Sequence, residues 1–199
     1  MTRPEDALLA EELGASAVGF VFFDKSPRYI NPQKAGEISG ILGPFIARVG
    51  VFVDEDAETV RKIVETARLT AVQLHGSEDQ EYIGLLKGIN VIKAFRVDKN
   101  FNPEELGGYD VNTFLLDTYS ANSYGGTGKT FDWNITNDCR KYGRIILAGG
   151  LNVSNVIDAM NAAKPWGIDI SSEIESSPGV KDPEKMKELF DRITGQERI

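Results

Sequence analysis

The stretch ARVGVFVDEDAE, residues 47–58, carries the pattern that decides the fold. Residues 47–53 are mostly apolar and predict a buried strand, and the acidic residues 54–58 predict a helix start directly after it. A strand with continuous rather than alternating apolar residues is typical of a parallel sheet covered on both faces. The stretch therefore predicts one strand–helix unit of a parallel α/β protein.

The same unit recurs along the chain. Six further strands are predicted, at 16–23, 71–75, 91–97, 113–118, 144–150 and 167–172. Successive strands begin about 25 residues apart, a period that suits a small (β/α)8 TIM barrel, which typically needs roughly 250 residues but tolerates fewer when its loops are short. No linker or low-complexity tract interrupts the pattern, so residues 1–199 are predicted to form one domain.

The number of helices does not match the number of strands. The chain begins MTRPEDALLAEELG, in which Thr2 and Glu5 predict a capping box at the start of a helix. With a weak helical stretch at 103–106 the chain has eight helical patterns but seven strands. We therefore predict a TIM barrel whose first β-strand is missing from this chain, and we expect the natural protein to begin upstream of Met1.

Composition excludes several functional classes. The chain has 22 basic and 30 acidic residues, a net charge of -8, which disfavours a nucleic-acid partner. No apolar run approaches the roughly 18 residues of a membrane span, and the acidic first helix does not resemble a secretory signal. Cys139 is the single cysteine, so an internal disulfide is excluded and a cytoplasmic location is expected.

Polar side chains at the predicted strand ends are the candidates for chemistry, because a TIM barrel carries its function at that edge. Arg28, in the loop DKSPRYI, could bind a substrate carboxylate or form a surface ion pair. Gln73 and His75 project to one side of their strand, and both are predicted to contact the substrate. His75 could also transfer protons, or it could be a hydrogen-bonded residue of the barrel mouth. No cluster has metal-ligand spacing, so no metal is indicated.

Asp117 ends the fifth predicted strand after three apolar residues, 114–116. That setting favours a protonated carboxyl, which could act as a general acid, although a structural salt bridge is an equal alternative. The glycine-rich segment GGTGKTFDW, 125–133, contains the end of a P-loop motif. Ser123 stands where the motif needs glycine, and a helix is not predicted after it, so we interpret the segment as an active-site loop rather than a nucleotide site.

Two segments near the end of the chain could bind a phosphate. Gly149 and Gly150 follow the sixth strand and precede a helix, whose first amides would attract an anion. Ser171 and Ser172 would add donors one unit later, where barrels often hold a phosphate. The alternative for the two glycines is a tight turn with no ligand.

Taken in order, these motifs resemble the phosphoribosylanthranilate isomerase family of tryptophan biosynthesis nearly end to end. The shared motifs are TRPEDAL (2–8), GFVFFDKSPRYI (19–30), RVGVFVDED (48–56), VQLHG (72–76), LLDT (115–118), YGGTGKTFDW (124–133), AGGLN (148–152) and DISSEIESSPGVKD (169–182). Eight ordered motifs are far more specific than any one of them.

The resemblance implies a cofactor-independent Amadori rearrangement of the aminoaldose N-(5'-phosphoribosyl)anthranilate into an aminoketose. It implies that Asp117 is the general acid that opens the furanose ring and that Arg28 approaches the anthranilate carboxylate. It also implies a phosphate site formed by Gly149, Gly150, Ser171 and Ser172. The expected partner is a small phosphorylated substrate, and the protein is expected to be a monomer or a homodimer.

Two positions depart from the family pattern. Glu173 stands where the family has the glycine of S-S-G, beside the expected phosphate site. The family's general base is a cysteine in a strand resembling K-I-C-G just before Thr2, and Cys139 lies in a different unit. We therefore expect weak or absent activity in this chain. The alternative function is a catalytically silent phosphosugar-binding barrel or an assembly partner that borrows a strand.

Overall fold

A computed structural model describes residues 1–117, 133 and 135–195 of the protein. Its main sheet is built from strands that follow one another along the chain at nearly regular intervals. They are β1 (Ala17–Val21), β2 (Ala47–Phe52), β3 (Ala71–Leu74), β4 (Val91–Arg96), β5 (Thr113–Asp117), β6 (Arg144–Ala148) and β7 (Gly167–Ile168).

Helices precede, separate and follow these strands. They are α1 (Pro4–Glu12), α2 (Pro32–Ile41), α3 (Ala57–Thr66), α4 (Gln80–Leu85), α5 (Ile135–Cys139), α6 (Val156–Ala163) and α7 (Pro183–Thr194), with 3-10 helices at Pro103–Gly108 and Ser172–Ile174. Two of the helices are capped by a side chain directly ahead of a proline. The Asn31 side chain accepts the Gln33 amide ahead of Pro32, and the Asp182 side chain caps α7 ahead of Pro183.

The seven strands form one sheet in chain order, and every neighbouring pair is parallel. Helical connections on a parallel sheet place all strand carboxyl ends at one edge. A separate antiparallel hairpin, β8 (Glu175–Ser177) and β9 (Val180–Lys181), follows β7. The loop after β1, the turn after β6 and this hairpin therefore lie at the same edge, which we call the mouth.

Side-chain alternation separates an inner face of the sheet from an outer one. Phe114 and Leu116 of β5 pack with Cys139 of α5 on the outer, helix-covered face. Leu115, between them, packs instead with Ala94 of β4 and Ala148 of β6. Since successive residues of a strand point to opposite faces, Leu115 marks the inner face, and Asp117 lies on that face at the mouth.

Some predicted elements differ from the observed ones. The strand predicted at 167–172 has only two residues in the ladder, because the chain turns into a 3-10 helix at Ser172. The helical stretch at 103–106 is a 3-10 helix. The predicted capping box is wrong: Arg3 is the N-cap residue of α1 without a side-chain cap, and the Thr2 hydroxyl donates instead to the Gly179 carbonyl.

The two edges of the sheet are β1 and β7, and no ladder joins them within residues 1–117 and 135–195. The Met1 ammonium donates a hydrogen bond to the Gly19 carbonyl of β1, and burial lowers the pKa of this ammonium to about 5. The segment before α1 thus lies against the edge of β1. The described architecture is a curled parallel sheet of seven strands, and the expectation of a missing first strand stays a prediction.

Candidate active site

Asp117 lies at the mouth, at the carboxyl end of β5. Its backbone carbonyl accepts the Val97 amide at 2.9 Å, which fixes its position, and its side chain keeps 22% of its surface exposed. The imidazole of His75 lies beside this carboxyl, with Nε2 at 3.4 Å from Asp117 Oδ2. A carboxyl in this position can reach a ligand in the mouth and still exchange protons with solvent.

Gln73 orients His75 from the same strand. The Gln73 side-chain nitrogen lies 3.1 Å from His75 Nδ1, and Gln73 is buried. Because an amide nitrogen only donates, Nδ1 accepts, and a neutral imidazole then carries its proton on Nε2, the nitrogen that faces Asp117. The structure therefore brings three predicted site residues together, Gln73, His75 and Asp117.

A second carboxylate at the mouth, Asp169, was missed by the sequence reasoning. It directly follows β7, and its amide donates to the Leu147 carbonyl of β6 at 2.9 Å. Asp169 is exposed, but desolvation by the surrounding protein still raises its pKa. The nearby charge of Asp117 acts in the same direction, whereas Lys181 and His75 act against it. The available signal was its place at a strand end, the same position that singled out Asp117.

Arg28 lies in the loop after β1 and pairs with a carboxylate that sequence reasoning did not select. Its Nε lies 3.1 and 3.0 Å from the two oxygens of Glu175, and its Nη2 lies 2.7 Å from Oε2. The Glu175 side chain is only 5% exposed, so this is a buried partner and not the surface ion pair that was the alternative. The pair joins residues 147 positions apart, which sequence spacing could not reveal.

The two glycines after β6 have the backbone conformation that only glycine adopts readily. Their φ angles are +90° for Gly149 and +63° for Gly150. The side-chain amides of Asn152 and Asn155 donate to the Gly150 carbonyl at 3.3 and 2.9 Å. Helix α6 begins only at Val156, so the glycines form a turn ahead of the helix rather than its first residues. Phosphate binding here stays a prediction.

Ser171 and Ser172 are exposed at the mouth, and so is Glu173. The Ser171 carbonyl accepts the Lys181 ammonium at 2.8 Å, and this lysine also lies 3.3 Å from Glu175 Oε1. The serine segment is thereby tied to the β8–β9 hairpin and to the partner of Arg28. Its predicted role in phosphate binding is compatible with this exposure and stays a prediction.

Two predicted features lie elsewhere. The glycine-rich segment 125–133 falls outside the described residues except for Trp133. Cys139 lies on the outer face of the sheet, fully buried among apolar side chains, and burial raises the pKa of its thiol to about 11. A thiol in that position cannot reach a ligand at the mouth.

The described part of the chain shows neither a metal site nor a membrane-spanning helix. No group of three or more histidine, cysteine, aspartate and glutamate side chains there could hold a metal ion. No described helix has the length and apolarity needed to cross a membrane. The predicted absence of a metal and the cytoplasmic location stay predictions.

A curled parallel sheet whose inner face carries an acid and an imidazole at the carboxyl edge defines a TIM-barrel-like enzyme. Residues 1–192 match the family model described as N-(5'-phosphoribosyl)anthranilate isomerase, and the chain belongs to that family. It is 48% identical to the isomerase of Geotalea uraniireducens over 98% of this chain and 96% of the relative. The isomerase of Citrifermentans bemidjiense is also 48% identical, over 96% of this chain and 92% of its own length.

Solved structures give the same assignment. The crystal structure of the Thermotoga maritima isomerase superposes with a TM-score of 0.89 at 42% identity, covering 98% of this chain and 96% of that one. A second isomerase structure was solved in complex with reduced 1-(o-carboxyphenylamino)-1-deoxyribulose 5-phosphate. It superposes with a TM-score of 0.86 at 40% identity, covering 98% of this chain and 95% of that one. The predicted family is confirmed.

Proposed function

We propose that this chain catalyses the Amadori rearrangement of N-(5'-phosphoribosyl)anthranilate to 1-(o-carboxyphenylamino)-1-deoxyribulose 5-phosphate. Membership of the isomerase family supports the reaction. The observation that carries it is the position of Asp117, on the inner face at the carboxyl end of β5, with His75 Nε2 at 3.4 Å. An acid in that position is what opening the ribose ring requires.

In the first step Asp117 donates its proton to the furanose oxygen. The bond between that oxygen and C1' breaks, and the nitrogen lone pair forms the Schiff base. A base then removes the proton from C2', which gives an enolamine with a hydroxyl on C2'. The enolamine takes a proton at C1' while its 2'-hydroxyl loses one, and the C2' ketone forms. In the family, a cysteine ahead of the residue that matches Thr2 removes the C2' proton. Cys139 lies on the outer face of the sheet and is too remote to take over that role.

The substrate would lie across the mouth from the loop after β1 to the segments after β6 and β7. Arg28 would bind the anthranilate carboxylate, since a guanidinium pairs with carboxylates in a bidentate manner. Gly149, Gly150, Ser171 and Ser172 would bind the phosphate at the other end. The related isomerase solved with a carboxylate-bearing phosphosugar supports a ligand of this chemistry.

The finer architecture that we propose is an eight-stranded barrel in which a further strand pairs with β1. The contact from Met1 to the Gly19 carbonyl supports this, because it uses a hydrogen-bonding group on the edge of β1. An exposed edge strand is a template for pairing, and closing the barrel would remove both edges.

We also propose a homodimer in preference to a monomer. Phe45, between α2 and β2, is 99% exposed, beside the half-exposed Ile41. Burying such a side chain in an interface would stabilise the dimer by roughly 1.5–3 kcal/mol. The Thermotoga maritima isomerase has been described as dimeric. Sedimentation of the wild type and of Phe45→Ser tests this: a dimer that Phe45→Ser converts to monomer supports the proposal, and a wild-type monomer contradicts it.

Binding and turnover together distinguish the isomerase from the catalytically silent alternative. Calorimetric titration with reduced 1-(o-carboxyphenylamino)-1-deoxyribulose 5-phosphate measures binding, and conversion of phosphoribosylanthranilate measures catalysis. An isomerase binds the analogue and forms the ketose faster than the uncatalysed rearrangement. Binding without acceleration would favour the silent phosphosugar-binding barrel, and absence of both would overturn the proposed function.

A further inference from the structure

Glu175 occupies an unusual position between the two ends of the proposed substrate site. It is the first residue of β8, and its buried carboxylate accepts hydrogen bonds from Nε and Nη2 of Arg28. The Gly179 amide donates to Oε1 at 3.3 Å, and Lys181 approaches the same oxygen at 3.3 Å. One carboxylate thus joins the loop after β1 to the hairpin after β7.

In the cluster of Arg28, Lys181 and Glu175 the positive groups outnumber the negative one. Burial acts to raise the pKa of Glu175, but Arg28 and Lys181 outweigh it and hold the pKa below its usual range. Burial lowers the pKa of Lys181, whereas the charges of Glu175 and Asp169 act to raise it. With all three groups ionised, Arg28, Lys181 and Glu175 sum to one positive charge, which the nearby Asp169 reduces. Pairing with Glu175 therefore does not cancel the attraction of this cluster for an anionic ligand.

The geometry of the guanidinium explains how Arg28 can serve two carboxylates. The group is planar and carries five N–H donors. Glu175 covers the edge formed by Nε and Nη2. The end formed by Nη1 and Nη2 is a second bidentate edge of the same plane, and it points away from a carboxylate bound at the first. The Arg28 side chain is 29% exposed.

The loop that carries Arg28 is already ordered by short-range contacts. The Ser26 amide donates to the Phe23 carbonyl at 3.0 Å, and the Ile30 amide donates to the Val21 carbonyl at 3.0 Å. These contacts fix the backbone but leave the long arginine side chain free to rotate. Its orientation depends on the contacts made by its head group, and the described ones go to Glu175.

We propose that Glu175 is a positioning residue that holds the guanidinium of Arg28 with its second edge toward the carboxylate of the substrate. The inference rests on the proposed function, in which that carboxylate belongs to the anthranilate ring. Without Glu175 the arginine must be ordered by the ligand itself. Ordering one arginine on binding costs the entropy of its rotamers, which corresponds to about a tenfold to thirtyfold loss of affinity for the ligand.

The test compares two ligands that differ only in the carboxylate. They are reduced 1-(o-carboxyphenylamino)-1-deoxyribulose 5-phosphate and its phenylamino counterpart without the carboxylate. Glu175→Gln should weaken the first about tenfold or more and the second less than about threefold. Adding Glu175→Gln to Arg28→Met should cause no further loss, because the residue it positions is gone.

Glu78→Gln is the matched control. Glu78 forms another buried ion pair, with Lys93 at 2.9 Å, and its carboxylate also accepts the Asp54 and Gly76 amides. Lys93 neighbours the inward Ala94 and so lies on the opposite, outer face of β4. The same substitution there removes a buried charge but should change the affinity for neither ligand by more than about threefold.

Glu175→Asp provides a second test if Glu175→Gln folds poorly. Aspartate keeps the charge but is one methylene shorter, so it cannot hold both guanidinium nitrogens in the same place. It should show the same selective loss for the carboxylate-bearing ligand. Retention of wild-type affinity by Glu175→Asp would overturn the proposal.

Other results would also overturn it. Equal weakening of both ligands would mean that Glu175 acts through the hairpin or the serine segment rather than through Arg28. Tighter binding of the carboxylate-bearing ligand by Glu175→Gln would mean that repulsion between Glu175 and the ligand carboxylate outweighs the benefit of positioning Arg28. If the wild type binds neither ligand, the proposed function itself fails; if it binds both and only the selectivity is absent, this inference alone fails.

Discussion

Replacing Asp117 with asparagine should abolish most of the isomerase activity while leaving the fold intact. Asparagine has the same shape but cannot give a proton to the furanose oxygen. The backbone around Asp117 is fixed by the ladder with β4 and β6 and by the bond from the Val97 amide. None of these contacts uses the side chain.

The two expected effects differ strongly in size. A positioned proton donor contributes about 10²–10⁴-fold, or about 3–5 kcal/mol of the activation barrier. The contact of Asp117 with His75, at 3.4 Å between partly exposed groups, contributes about 0–1 kcal/mol to stability. For a chain of this length, loss of this contact alone corresponds to a fall in melting temperature of at most about 4 °C.

The assay measures kcat for phosphoribosylanthranilate, affinity for the reduced product analogue, and the melting temperature. Asp110→Asn is the control, because Asp110 is exposed and precedes the opposite end of β5. We expect kcat to fall at least about a hundredfold in Asp117→Asn alone, with affinity for the analogue changed only slightly. A near-normal kcat in Asp117→Asn, or an equal loss in the control, would refute the assignment of the general acid.

Three further predictions concern charge, the buried thiol and the edge of β1. Because the pKa of Glu175 is depressed in the folded protein, its stabilisation is present above the ordinary glutamate pKa and is lost as the pH falls through the folded value. In urea unfolding, Glu175→Gln should therefore be less stable than the wild type by about 3–5 kcal/mol at pH 7, and the difference should be smaller at pH 3. A difference in stability that does not change with pH would contradict this. Cys139→Ala should lower the free energy of unfolding by about 1 kcal/mol and leave kcat unchanged, since the thiol lies on the outer face; a kcat loss would place it in the site. Adding Lys-Ile-Cys-Gly before Thr2 in place of Met1 should raise kcat by about 10²–10⁴-fold and raise the melting temperature, and no change in either would argue against the proposed eighth strand.

The regular strand–helix pattern made most of the fold predictable. Apolar runs such as residues 113–117 and 144–148 are local signals, and the structure shows strands at both. Prediction failed where tertiary contacts overrode local ones. Thr2 stands at a position typical of a capping residue, but its hydroxyl donates a hydrogen bond to the carbonyl of Gly179, 177 positions away. The strand predicted at 167–172 stops early because Ser171 turns into the 3-10 helix that leads to the hairpin.

The candidate site was predictable to the extent that its residues lie at strand ends. Gln73, His75 and Asp117 were selected for that reason, and the structure brings them together. Glu175 and Lys181 were not selected, because they lie in a hairpin whose pairing with Arg28 depends on the curling of the sheet. Their burial is a consequence of the fold and has no periodic signature in the sequence.

The most direct test of the central claim is the fate of C2' in the substrate. The wild-type chain is incubated with phosphoribosylanthranilate labelled with ¹³C at C2', and the product is followed by carbon NMR. We expect the labelled carbon to move from the alcohol region to the ketone region of the spectrum faster than in a sample without protein. A label that stays in the alcohol region, whether the substrate is unchanged or hydrolysed to free anthranilate, would contradict the proposed isomerisation.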